Sequence, residues 1–392
     1  MVDRTKAGPL KRLSGDFEVI LAVSLAHFAN DAPVILLPAV LPIVIVEFNL
    51  SYAASGAVIA VSALSMTALQ AVTGYVADRV NRITFLFAGL ATVGVGTILV
   101  SLSSDYVQLL AFQCLVGVGA SVYHPIGYSL VSDMFESRKR GKALGLGSAA
   151  GDMAVPIAFA SSGFLAFVLG WRNIFRLWGL ITVIVAVIVP LMIAEPRKSG
   201  LRSNANSRST REIVRTLIPV IVVMGLAGAC YKIVSSFTTT YLTTFGLSIE
   251  LANGVTALMM ALGAVGAVVE GALADRLGER NAILLATVML GVLSAISANV
   301  GNVYLLSIIV FISGFSLLGV WPPFYSIIAR STSLGARAFM YGLLFAIAWS
   351  FGSLFPYVSG AFADVFGLQV IYIIVSFVSL LAAFITYISL EK

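Results

Sequence analysis

Long apolar runs follow one another along almost the whole chain, and only short polar stretches separate them. About 20 consecutive apolar residues allow a helix to cross the hydrocarbon core of a bilayer. Because hydrocarbon offers no partner to free backbone groups, each crossing segment must be a helix. The pattern predicts an all-α integral membrane protein with twelve transmembrane helices, at residues 17–46, 51–77, 83–102, 106–131, 141–168, 171–194, 213–245, 249–274, 281–299, 303–328, 338–363 and 367–390.

The composition agrees with a polytopic membrane protein. Hydrophobic residues fill 59% of the 392 positions and charged residues only 11%, whereas a soluble domain carries about 25% charged residues. The net charge of +6 does not indicate nucleic-acid binding, because the positive residues lie in short loops. Of the 24 Lys and Arg residues, 21 fall at the chain ends or in loops on the same side as them. The positive-inside rule then predicts cytoplasmic termini and a multi-pass protein of the plasma membrane, the inner membrane of a prokaryote.

A long polar loop divides the chain into two sets of six predicted helices. Residues 195–212 are rich in Ser, Asn and Arg, which is typical of a solvated linker. The sequence therefore predicts an N-terminal six-helix bundle at 1–194, a cytoplasmic linker at 195–212 and a C-terminal six-helix bundle at 213–392.

The two halves resemble each other at one constant spacing. Gly74, Asp78 and Arg79 recur 197 residues later as a Gly, an Asp and an Arg. The same spacing joins further pairs across five helices, among them Gly117 and Gly314, Pro125 and Pro322, Tyr128 and Tyr325, and Ser129 and Ser326. Such a duplication in parallel orientation places a substrate site near the membrane midplane, between the halves.

The loop after the second predicted helix resembles the signature loop of the major facilitator superfamily. The family pattern is Gly, three residues, Asp, Arg or Lys, one residue, Gly and Arg; here Asn81 replaces the second Gly, and the second copy has Glu279 where Arg is common. The resemblance covers the whole chain and implies a transporter that works by alternating access. It also implies a cytoplasmic gate, although a solvated tight turn would use similar residues; the gate residues are Gly74, Asp78, Arg79, Arg82, Glu270, Asp275 and Arg276.

A finer resemblance joins the first and fourth predicted helices. His27, Asn30 and Asp31, together with His124 before Pro125, look like the fosmidomycin-resistance branch of exporters. That branch commonly has Glu after His-Pro, where this chain has Ile126. The resemblance implies export of small molecules.

Three polar residues share one face of the first helix, in the middle of its apolar run. Residues 27, 30 and 31 meet on that face because of the helical period. A carboxylate at this depth costs about 2.5–3.5 kcal/mol, and such groups usually serve a transport pathway. Asp31 is the expected proton carrier, unless it only bonds another helix. His27 either shares that proton or packs as a neutral ring, and Asn30 supports its neighbours or contacts substrate.

The costly intramembrane residues do not recur in the other half. At the repeat spacing, His27, Asp31, His124, Asp152, Lys232 and Glu270 correspond to Met224, Gly228, Trp321, Trp349, Ile35 and Thr73. A residue that only maintains the duplicated fold should recur, whereas one specialised for function need not. The asymmetry therefore favours functional roles for these six positions.

Asp152 and Lys232 are the candidates to complete a polar centre. Asp152 is a second proton site or a contact for a substrate cation, and His124 adds a titratable ring beside the kink of Pro125. Lys232 is expected to pair with Asp31 or Asp152 in a switchable ion pair, to bind an anionic substrate, or to snorkel to an interface. Aromatic side chains would supply apolar walls with polar tips, or would only pack the helices; they are Tyr123, Tyr128, Tyr231, Trp321 and Tyr325.

These features predict a proton-coupled secondary transporter that exports small drug-like or amphipathic molecules in exchange for protons. The alternative is a proton symporter that takes up a small organic anion, with Lys232 and Arg176 as anion contacts. A receptor or a membrane enzyme is a third class, but the sequence has neither a metal-binding cluster nor a nucleophile or ATP-binding motif. The expected partners are the substrate, protons and lipid, with no cofactor beyond the proton gradient, no metal and a monomeric state.

Overall fold

The structure, a computed structural model, describes residues 15–193, 210–331 and 337–390. Every regular element in these ranges is an α-helix. The helices are α1 (Asp16–Phe48), α2 (Tyr52–Ala77), α3 (Arg82–Val100), α4 (Tyr106–Ala120), α5 (Tyr123–Met134), α6 (Ser137–Leu169), α7 (Trp171–Met192), α8 (Thr210–Thr244), α9 (Ile249–Leu277), α10 (Glu279–Ser297), α11 (Val303–Gly319), α12 (Trp321–Ser331), α13 (Arg337–Gly352), α14 (Phe355–Phe366) and α15 (Val370–Ser389).

Within the described ranges, 11 segments are long and apolar enough to span a membrane, with α4–α5 and α11–α12 each forming one span. The bent pair α13–α14 occupies the place of the predicted helix 338–363. The predicted all-helical membrane fold is confirmed, while the count of twelve spans stays a prediction. Most of the predicted linker lies outside the described residues, and α8 already begins at Thr210.

The fourth predicted span is broken rather than continuous, and the break precedes its proline by one turn. Pro125 has no N–H to give to the carbonyl four residues earlier, which is that of Ser121. The helix accordingly ends at Ala120 and restarts at Tyr123. The hydroxyl of Thr73 on α2 donates to Ser121 O at 2.9 Å and so replaces the missing donor.

Contacts between helix ends identify two sides of the bundle. Asp16, at the start of α1, pairs with Lys139 Nζ near the start of α6 at 2.6 Å. Arg280, at the start of α10, donates to Tyr387 O near the end of α15 at 2.7 Å. The start of α9 contacts the later halves of α1 and α6, so the end of α9 and the start of α10 lie on the side where α1 begins. Both ends of the described chain therefore lie on one side, here called the termini side. The opposite side is called the far side.

The two halves are held together at the far side. Asp364 on α14 accepts hydrogen bonds from Tyr52 N at 2.7 Å and Ala53 N at 3.0 Å at the start of α2. Asn253, near the start of α9, donates to Ala39 O of α1 at 2.8 Å. A further bond between the halves, from Ser350 to Thr67, lies halfway along α2. We infer that the described conformation is closed at the far side.

The repeat is visible in how the helices cross. Gly117 of α4 packs directly against the backbone of Ser62 on α2, and Gly314 of α11 packs in the same way against Met259 on α9. Both members of the second pair lie 197 residues after those of the first. The same close crossing thus recurs in each half, which requires a residue without a Cβ.

Candidate functional site

The polar face predicted on α1 forms one connected cluster. His27 Nε2 lies 3.3 Å from one carboxylate oxygen of Asp31. Asn30 donates its side-chain N–H to the other oxygen at 2.9 Å. The Asn30 side chain is fully buried, whereas 22% of the Asp31 side chain stays exposed. The buried amide therefore orients a carboxylate that still reaches solvent.

Helix α6 fixes the ring of His27. Its Nδ1 lies 2.9 Å from the carbonyl oxygen of Gly147, and a carbonyl can only accept, so Nδ1 carries hydrogen. Gly151 lies against the same ring and leaves no space for a Cβ, while Tyr123 stacks on it at 4.5 Å between ring centroids. These contacts direct the lone pair of Nε2 toward Asp31, where two acceptors at 3.3 Å need a cation between them.

The helix break brings in the second histidine. His124, in the first turn of α5, places Nε2 3.8 Å from the second oxygen of Asp31. Its ring meets that of His27 edge-on, with 5.3 Å between centroids, and stacks on Tyr128 at 6.1 Å. The three ligand atoms of His27, Asp31 and His124 all lie within 4.8 Å of one another. This trio can hold a proton and has the donor atoms for a metal ion.

The C-terminal half contributes a cation and an aromatic wall. Lys232 Nζ lies 5.3 Å from the ring centroid of Trp349, within the range of cation–π attraction. Among the described residues, no carboxylate lies within ion-pair distance of Lys232, so the expected pair with Asp31 or Asp152 is not formed in this conformation. Trp349 also stacks on Trp321 at 4.9 Å and meets Tyr231 edge-on at 5.3 Å.

Trp349 was not predicted as a site residue. The repeat places it at the position of Asp152, which was the available signal. Asp152 itself lies on an exposed stretch of α6, one residue after the glycine that contacts His27. The expected wall residues divide into two groups. Tyr128 and Tyr325 are 42% and 41% exposed, whereas Tyr123, Tyr231 and Trp321 are buried.

The predicted gate contains a half-buried ion pair at the termini side. Arg82 Nη1 lies 2.7 Å from the Asp133 carboxylate and 3.3 Å from Ser129 Oγ at the end of α5. The corresponding residues of the second half are Glu279, Ser326 and Arg330. Glu279 accepts from Ser326 Oγ at 2.7 Å and pairs with Arg330. The same contact therefore exists twice with its charges exchanged, which explains why Glu279 replaces the usual Arg.

The other gate residues lie at the ends of α2 and α9. Arg79 stacks over Tyr75 with 3.4 Å between its guanidinium carbon and the ring centroid. Gly74 lies against Pro125, and Gly271 against Pro322, which joins each loop to the neighbouring helix break. The remaining residues of this set are exposed; they are Asp78, Asp275 and Arg276.

Glu270 has a different setting from the rest of the predicted gate. It lies two turns before the end of α9, and its side chain is completely buried. Its neighbour is Gly319 at the end of α11. Among the described residues no arginine forms an ion pair with it, and its place in the cytoplasmic gate stays a prediction.

A family model agrees with this architecture. The model of the Major Facilitator Superfamily matches residues 23–355 and 255–392. The chain belongs to this superfamily, which confirms the resemblance of the signature loop and places the protein among transporters rather than enzymes.

Curated relatives match along most of the chain. The fosmidomycin resistance protein of Escherichia coli is 26% identical over 376 residues, which cover 93% of this chain and 91% of that protein. A probable 4-methylmuconolactone transporter of Cupriavidus pinatubonensis is 27% identical over 332 residues, covering 80% and 76%. Among solved structures, an inward-facing, unoccupied bacterial homologue of the human lysosomal transporter Spinster superposes with a TM-score of 0.81. It is 18% identical, covers 98% of both chains and supports the fold alone.

Proposed function

We propose that the protein is a proton-coupled antiporter that exports small drug-like or amphipathic molecules across the inner membrane of a prokaryote, with both termini in the cytoplasm. One observation carries the proposal: the hydrogen bond from His27 Nδ1 to Gly147 O turns Nε2 toward Asp31 at 3.3 Å. A proton placed between these atoms satisfies both groups, and its removal leaves two acceptors facing each other. Proton loading therefore changes the forces on the His27 ring, which is the part of the cluster that contacts α6 through Gly147 and Gly151.

The surroundings of the cluster suit an amphipathic ligand. Asp152 and Tyr128 from the first half, and Lys232 and Trp349 from the second, offer charge and aromatic surface. Such mixed linings orient small molecules by a few polar groups within an apolar site. The similarity to the fosmidomycin resistance protein supports export of a small molecule.

Transport in proteoliposomes with an imposed pH gradient tests the proposal. Proton antiport predicts substrate accumulation on the acidic side, and Asp31→Asn should abolish the dependence on the gradient because an amide cannot exchange a proton. Asp105→Asn is a matched control, since Asp105 caps the start of α4 through its side-chain oxygen and Asn can do the same. Unchanged gradient-driven transport by Asp31→Asn would rule out this carboxylate as the proton carrier.

Lys232 supports the second candidate, a proton symporter for a small organic anion. Its ammonium group has no ion-pair partner among the described residues and lies over an aromatic ring, so an anionic substrate could supply the counter-charge. A thermal-shift screen over lipophilic cations and organic anions separates the two functions. Stabilisation by anions alone, lost in Lys232→Met, would favour uptake; stabilisation by cationic or neutral amphipathic molecules would favour export.

A further inference from the structure

Glu270 is a buried carboxyl group that the cluster around Asp31 does not use. Its side chain has no exposed surface, and neither carboxyl oxygen accepts a hydrogen bond from a described residue. Burial of an ionised carboxylate without a partner is very costly. The carboxyl group must therefore be neutral in this conformation, and a neutral carboxyl group has a hydrogen to donate.

The first half shows what a donor does at this position. Thr73 lies 197 residues before Glu270, and its hydroxyl donates to Ser121 O at 2.9 Å. That carbonyl lies at the break between α4 and α5, where Pro125 has no N–H to offer it. Thr73 thus caps the broken helix from a neighbouring span.

The second half has the same break with one more proline. Pro322 corresponds to Pro125, and Pro323 follows it. Together they remove the N–H groups that would bond the carbonyls of Leu318 and Gly319; the N–H of Val320 turns toward Leu318 O. Glu270 Cγ packs against Gly319 so closely that a Cβ there would come within 2.7 Å. The carboxyl group therefore lies beside the break between α11 and α12, which is the equivalent in this half of the break that Thr73 caps in the first half.

We propose that Glu270 is a proton-binding site of the C-terminal half, and that its neutral carboxyl group caps the break between α11 and α12 by donating to a carbonyl freed by Pro322 or Pro323. Threonine can always donate, whereas glutamic acid can donate only while it holds its proton. Release of the proton to water leaves a carboxylate against carbonyl oxygens, and the break must rearrange. The bend of this span is thereby linked to protonation.

No charged neighbour among the described residues forms an ion pair with this carboxyl group. Glu279 and Arg330 pair with each other, and Arg280 bonds to Tyr387 O. The helices α1 and α6 meet α9 near its opposite end, around Asn253. The other titratable groups on the elements packed against this end of α9 are Cys230, Tyr231 and Lys232 on α8, Tyr325 on α12, and Asp275 and Arg276 on α9 itself. The first turns of α8 also carry Arg211, Glu212 and Arg215, whose side chains are outside the described ones. None of those described forms an ion pair with Glu270.

Infrared difference spectroscopy on the full chain in proteoliposomes tests the proton site. The wild type should show the carbonyl band of a neutral carboxylic acid that disappears as pH rises and is missing in Glu270→Gln. Asp31→Asn should keep this band, because the inference does not depend on the cluster around His27. Absence of any band that depends on Glu270, at every pH at which the protein stays folded, would overturn the proposal.

Spin-label distances test the link to the bend. Val80 and Leu277 correspond in the repeat and are 41% and 52% exposed at the termini side, so a label pair there reports opening, in a background with Cys114→Ser and Cys230→Ser. We expect raised pH to shift the distance distribution of the wild type and to shift Glu270→Thr much less, since that variant carries the donor of the other half. Thr73→Val is the control and should keep the full shift. An unchanged shift in Glu270→Thr would refute the link, even if Glu270→Gln fails to fold.

Discussion

At the scale of single residues, the hydrogen bond from His27 Nδ1 to the Gly147 carbonyl decides what Asp31 faces. The bond forms because α6 comes close enough to α1 for Gly151 to lie flat against the imidazole. A small residue in α6 therefore has as much influence on the cluster as the titratable groups themselves.

Gly151→Ala should reduce gradient-driven transport roughly tenfold or more, because the added methyl group displaces the His27 ring at a cost of about 1–3 kcal/mol. The protein should still insert and fold, since the strain is local. Gly147→Ala is the matched control: a Cβ there meets only Val23 at 3.5 Å, an ordinary contact. Initial rates in proteoliposomes check the prediction, and equal rates for both variants would contradict it.

At the scale of elements, the two halves use the same contacts with different residues. The pair between Arg82 and Asp133 joins α3 to α5, and the pair between Glu279 and Arg330 joins α10 to α12 with opposite charges. Replacing one member of such a pair leaves the other without its partner. Exchanging the charges of both members together should keep the contact.

Arg82→Ala should lower the free energy of unfolding by about 2 kcal/mol, because the Arg82 side chain is only 7% exposed and Asp133 loses its partner. Glu279→Arg should be destabilising, since it places a second cation beside Arg330. The double variant Glu279→Arg with Arg330→Asp, which copies the first half, should recover most of the loss. Thermal unfolding in detergent measures all three, and a double variant as weak as the single one would argue against the exchanged pair.

Gly117→Ala and Gly314→Ala should each destabilise the fold by about 1–3 kcal/mol, because the methyl group would overlap the backbone of the crossing helix. Gly254 offers a control within α9, since a Cβ there has open space and alanine favours helix. The yield of folded protein and the melting temperature distinguish the variants. A similar loss for Gly254→Ala would contradict the close-crossing explanation.

At the scale of the whole molecule, the far side is closed by few polar contacts. The carboxylate of Asp364 caps the start of α2 from the opposite half. Its two bonds can exist only while the far side is closed, so they favour the described conformation over one that opens there.

Asp364→Ala should shift the balance toward far-side opening by roughly tenfold, because two charge-assisted bonds at an exposed site contribute about 1–2 kcal/mol together. A spin-label pair across the far side should report a larger population of long distances. Asp364→Asn is the comparison variant, since it keeps an acceptor and should shift less. An unchanged distance distribution in Asp364→Ala would show that apolar packing alone closes this side.

Much of the fold could be predicted because lipid imposes simple rules on spans, and because the repeat spacing relates distant residues. The cluster of His27, Asp31 and His124 was also predictable, since helical period and apolar context identify costly groups. The positions of the helix breaks at Ser121 and Val320 were not predicted. The missing N–H of a proline frees the carbonyl four residues earlier, so the break lies before the proline in the sequence. The ion pairs of Asp133 with Arg82 and of Arg330 with Glu279 were not predicted. In a comparison of the two halves, opposite charges at corresponding positions count as a mismatch rather than as an equivalent contact.

The exchanged ion pairs have a consequence for how the termini side shuts. The partners that remain accessible are Asp133 in the first half, with 33% of its side chain exposed, and Arg330 in the second, with 67% exposed. The two halves therefore present opposite signs of charge at equivalent places on the termini side. When the halves approach each other there, these charges attract, whereas the charges of two identical repeats would repel. Such attraction weakens beyond about 8 Å at physiological ionic strength. A change in salt concentration alone should thus change the lifetime of the conformation that is closed at the termini side.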